Sequence, residues 1–173
     1  MTDANDAVRP SQLWKQLDPE RKLQAAEAFW HDENADAEQA EAIALIAQRI
    51  KFRLKSVISM PIDRKARQIL TFPSLSEAVA ARLLVAYHLA HQRPMMGQFL
   101  EALGIAHEEG LISEDELRAP EPERLTAATR TIAGAFPPEA VSLYLSTLFW
   151  QDPDAWSGVL DLPEVQALQP AKS

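Results

Sequence analysis

Apolar residues recur every three or four positions through most of this chain, and no convincing strand signal appears. A spacing near 3.6 residues gathers apolar side chains on one face of a helix, whereas a half-buried strand needs a period of two. The spacing therefore predicts an all-α fold. Only 5 glycines and 12 prolines punctuate the 173 residues, so proline supplies most of the expected breaks. A chain of this length removes roughly 70% of its unfolded surface from water and folds without a metal or disulfide. The expectation is a single-domain bundle of about seven helices, with residues 1–10 disordered or loosely attached, 11–151 as the helical domain and 152–173 as a tail packed on the body.

Local signals place the elements. Asp18 followed by Pro19 marks the start of a helix over 18–31. The next is expected over 37–55, with Ile43, Ile46, Ala47, Ile50 and Leu54 on one stripe and Leu45 and Phe52 opposite. Two apolar faces make it a central helix with basic margins. A short helix over 62–70 follows. Ser74 and Glu77 form a capping-box pattern ahead of the most apolar segment, 75–91, which is expected to be core. Pro94 restarts a helix that Gly104 ends in a left-handed conformation. Met95 and Met96 read as fillers of that core, and Trp30, Trp150 and Trp156 as packing residues. Ser113 with Glu116 suggests a short acidic turn, and helices over 121–133 and 139–150 complete the body. The apolar runs ending in Phe29-Trp30, Tyr87-His88 and Phe149-Trp150 admit a degenerate helical repeat as a variant of the same fold.

No cysteine occurs, which excludes disulfides, thiolate zinc sites, iron–sulfur clusters and cysteine nucleophiles. Residues 1–12 lack the apolar centre of a secretion signal, and the longest apolar run, 83–87, is too short to span a bilayer. A soluble cytoplasmic protein without a membrane partner is expected.

Charge is segregated. Residues 49–67 hold Arg49, Lys51, Arg53, Lys55, Arg64, Lys65 and Arg67 against Asp63 alone, a balance of +6. The residues before carry −6 and those after carry −8, giving the net −8. One explanation is structural: Lys51, Arg53 and Lys55 would stand in the last turn of the 37–55 helix, where cations meet the negative end of its dipole, and would pair with the acidic remainder. The other is an anionic partner, either an acidic protein surface or a second copy of the chain, with a small anionic ligand as a further option. Nucleic acid is disfavoured, because most of the chain repels phosphate and only Phe52 interleaves the cations. A helix-turn-helix over 95–117 would turn Glu108, Glu109, Glu114, Asp115 and Glu116 toward phosphates.

Chemistry has few candidates. His88 and His91 share a helix three residues apart, but no Glu-x-x-His pair of the kind used by carboxylate-bridged diiron bundles occurs. No metal or cofactor is expected. Glu108 and Glu109 beside His107 form a candidate acid–base group. Arg82 falls among Leu75, Val79, Ala86 and Leu89 on a face expected to be buried, where a guanidinium needs an anionic partner. Nucleophile elbows, phosphate-cradling glycine loops and dinucleotide fingerprints are absent. The leading reading is a non-catalytic interaction or scaffold module that binds through the basic strip, with Arg82 as an added anchor. The alternative is a small-ligand or metal-binding protein, enzymes included, in which Arg82, His88, His91 and His107 converge on one pocket.

Overall fold

The structure is a computed structural model that describes residues 4–168. It is all-α, with one two-stranded exception, and divides into two compact units: residues 10–90, and residues 91–168 together with 4–9.

The 10–90 unit contains α1 (Pro10–Gln16), α2 (Pro19–His31), α3 (Asp36–Ile50), α4 (Leu54–Ile58), α5 (Ile62–Leu70) and α6 (Glu77–His91) up to Ala90. Asp18 caps α2 as its sequence predicts, its carboxylate accepting the Arg21 N–H at 2.8 Å, with Pro19 in the first turn. The buried face of α2, Ala25, Ala26, Phe29 and Trp30, packs on α5, which buries Ala66 and Ile69. Small alanines on both sides permit this close approach.

The helix expected over 37–55 is shorter. It stops at Ile50 because Lys51 turns left-handed, φ 58°, and the N–H groups of Lys51 and Phe52 both bond the Ala47 carbonyl. That closure is of the Schellman type, with lysine where glycine is usual. A Cβ in this conformation costs about 1 kcal/mol. Chain direction changes there, Arg53 becomes the residue before α4, and Lys55 falls in the first turn of α4. The start of α6 also differs from its expected place. Its cap is Ser76, not Ser74: the Ser76 hydroxyl accepts the Val79 N–H at 3.2 Å and donates to Glu41 at 2.5 Å. Glu77 is then free of the capping box and accepts from the backbone N–H and hydroxyl of Ser11 instead. Along α6, Val79, Ala80 and the whole run Leu83 to His88 are buried, as expected of a core helix.

The second unit holds α7 (Arg93–Leu103), a hairpin of β1 (His107–Glu108) and β2 (Leu111–Ile112), then α8 (Pro122–Ala133), α9 (Pro138–Gln151), α10 (Pro153–Trp156), a 3-10 turn (Ser157–Asp161) and α11 (Pro163–Gln166). Gly104 ends α7 with φ 72°, as its position predicts. The hairpin was not foreseen, and no helix forms over Ser113 to Glu116. Its antiparallel register, His107 opposite Ile112 and Glu108 opposite Leu111, leaves a two-residue turn with φ 49° at Glu109 and 91° at Gly110. Positive φ at both positions is the type I′ turn that matches strand twist. α7 packs on α8, and α9 carries α10, α11 and the 3-10 turn. Phe99 joins the two groups, with its ring 5.6 Å from Tyr144 and 5.9 Å from Trp156. Residues 4–9 belong here because the Trp150 indole donates to the Val8 carbonyl at 2.8 Å. No helix among the described residues is long and apolar enough to cross a membrane.

Candidate interaction surface

The interruption of α3 at Lys51 has a direct effect on the basic island. Had the helix continued, Leu54 would have joined its buried stripe. Instead Phe52 is 44% exposed, Leu54 55% and Ile58 57%. α4 is a little over one turn long and turns only Val57 inward, while Leu54 and Ile58, four apart, share its outer face. Among the described residues just one other large apolar side chain, Leu111, is comparably exposed. Three of four such groups therefore stand within the most cationic stretch of the chain.

None of the seven cations forms an ion pair with a carboxylate among the described residues. Some are held by aromatic rings. The Arg49 guanidinium lies 5.3 Å from the centre of Phe72, and that of Arg64 lies 6.0 Å from Phe52. The Lys65 ammonium sits 4.7 Å from the Trp30 ring and donates to the Ile58 carbonyl at 3.5 Å, where partial burial pushes its pKa down. Lys65 thus ties the end of α4 to α2. Lys51, Arg53, Lys55 and Arg67 remain exposed. The dipole explanation suits Arg49, in the last turn of α3, and Lys51 beside it. It does not extend to Arg53, which stands before the first residue of α4, and it separates nothing at Lys55, which lies in both the first and the last turn of this five-residue helix. Ion pairing with described carboxylates accounts for none of the seven cations.

The segment thus combines cations that lack carboxylate partners among the described residues with three exposed apolar side chains. Guanidinium groups stacked on rings lose little further freedom when they meet a carboxylate or phosphate. Apolar groups at the same place favour a partner that brings both an anion and a surface that dries on contact.

The other candidates are occupied within their own units. Arg82 pairs with Asp32 at 3.3 Å and donates to the Asn34 carbonyl at 2.9 Å, fastening the link between α2 and α3. His88 is buried; its Nδ1–H donates to the Leu84 carbonyl at 2.7 Å, and burial pushes its pKa down to about 4. His91, on the same helix, is exposed. The Gly110 N–H donates to Nδ1 of His107 at 3.0 Å, which places the ring proton on Nε2, 3.6 Å from a Glu101 oxygen. With its acceptor nitrogen taken and the other facing a carboxylate, this ring offers no lone pair to a substrate. Glu109 pairs with Arg93 at 3.6 Å rather than acting beside His107, and Glu108 is exposed. Among the described residues no group of three or more histidines and carboxylates is arranged to hold a metal ion.

Comparison of the chain with protein families, with curated proteins and with solved structures found no match.

Proposed function

We propose that the protein is a non-catalytic interaction module whose cationic face, Arg49 to Arg67, binds an acidic surface of a protein partner. The observation that carries this reading is the coincidence of seven cations lacking carboxylate partners among the described residues with the exposed side chains of Phe52, Leu54 and Ile58. A small anion would engage the cations and leave the apolar groups wet. Single-stranded nucleic acid would stack on Phe52, but Arg64 already covers one side of that ring. An acidic protein surface with apolar residues of its own uses both parts of the face. Arg82, engaged by Asp32 and Asn34, adds support to the fold and is a weaker candidate for the partner. The same reading places the protein in the cytoplasm, where a chain without cysteine is at no disadvantage.

The test reverses three exposed cations, Arg53→Glu, Lys55→Glu and Arg67→Glu, in the full chain and compares proteins captured from a cell extract. Circular dichroism verifies that the helices persist. Capture that disappears in the variant, and that weakens with added salt in the parent, supports the reading. Identical recovery together with an identical oligomeric state overturns it.

A further inference from the structure

The fourth exposed apolar side chain lies in surroundings opposite in sign to the other three. Leu111, 53% exposed, stands on the hairpin strand that follows Glu109 and Gly110, and its strand partner is Glu108. Glu114, Asp115 and Glu116 follow within five residues, and all are exposed. Of the carboxylates in this segment, Glu109 pairs with Arg93 and Glu114 accepts the Ala106 N–H at 2.9 Å. Glu108, Asp115 and Glu116 make no ion pair with a described residue. The segment is therefore a small acidic mirror of the cationic face: an exposed leucine edged by unpaired carboxylates, held in place by a tight turn.

We infer that the acidic surface bound by the cationic face is this hairpin segment, His107 to Glu116, on a second copy of the chain. The inference rests on the reading of that face as a protein-binding surface and names its partner. Charge complementarity supplies the first argument, since each segment carries exposed charges of one sign, without ion pairs among the described residues, beside exposed large apolar groups. The second is distribution. Among the described residues the four exposed large apolar side chains all fall on one segment or the other, so docking Leu111 among Phe52, Leu54 and Ile58 covers them together. The contact is heterologous, with two different surfaces meeting, and so it either closes into a ring or grows head to tail.

Particle mass in solution, measured by light scattering on the full chain from about 1 μM to about 1 mM, tests this. The mass is expected to rise with concentration and to fall with salt. One variant reverses the cationic face (R53E, K55E, R67E) and another the hairpin segment (E108K, D115K, E116K); all six positions are exposed and unpaired among the described residues. Each alone is expected to remain monomeric. Mixed in equal amounts they reassociate, because the intact hairpin of the first fits the intact face of the second. Leu111→Ser weakens association of the parent about tenfold or more. A parent that is monomeric throughout, association that survives either reversal, or a mixture that stays monomeric overturns the inference. A monomeric parent that still captures other proteins through Arg53, Lys55 and Arg67 sinks this inference alone. Capture and association both indifferent to those three charges sink the underlying reading as well.

Discussion

Acidification should destabilise the protein through one side chain, His88. It is 2% exposed in α6, its Nδ1–H is spent on the Leu84 carbonyl, and burial holds its pKa near 4 rather than the ordinary 6.5. The folded state therefore keeps the ring neutral while the unfolded chain takes up a proton below about pH 6.5. The sign follows from linkage: where the unfolded state binds more protons, stability falls as pH falls. The contribution is complete above about pH 6.5, is lost progressively toward pH 4, and changes no further below that. About pH 4.5 is two units below the ordinary pKa, and at about 1.4 kcal/mol per unit the loss comes to roughly 2–3 kcal/mol. Urea denaturation followed by helical circular dichroism, at about pH 7 and about pH 4.5, measures the loss for the parent and for His88→Leu. The variant has its own offset from altered packing, but its pH dependence lacks the His88 contribution. The difference between the two pH dependences should be roughly 2–3 kcal/mol. Equal dependences would refute the claim that this imidazole is held neutral by its surroundings.

Two backbone positions give sharper outcomes. Lys51→Gly, which relieves a left-handed lysine at φ 58°, should raise stability by about 1 kcal/mol in the same denaturation assay while leaving the α3 ending intact. Gly110→Ala should cost about 1–3 kcal/mol, because φ is 91° there and an added Cβ would meet the Cβ of Met96 at 2.7 Å; thermal unfolding measures the shift.

Elements governed by neighbours in sequence were legible. Asp18-Pro19 fixed the start of α2, and Gly104 fixed the end of α7, because a cap or a left-handed stop is a local matter. The end of α3 was not legible in the same way. Ile50, Phe52 and Leu54 continue an apolar pattern, and lysine is an ordinary helix residue, so nothing at Lys51 announces a stop. A signal did exist in Lys51-Phe52-Arg53-Leu54-Lys55, whose strict alternation suits neither face of a helix. The cationic half of the candidate surface could thus be read from composition, while its apolar half depended on where the helix broke. The hairpin escaped because strands of two residues are too short to show a period. His-Glu-Glu-Gly, with glycine second in the turn, was its one local mark. Arg82 was expected to need an anionic partner and has one, but Asp32 lies fifty residues away and only folding identifies it.

The bond from the Trp150 indole to the Val8 carbonyl spans nearly the whole chain, and it makes the second unit discontinuous, with residues 10–90 inserted between its parts. On the ribosome, residues 4–9 emerge before the inserted stretch and must wait until α9 has been made before Val8 meets its donor, while the inserted stretch already has its own interior to close. A deletion of residues 4–9 would accordingly disturb the unit synthesised after the inserted one.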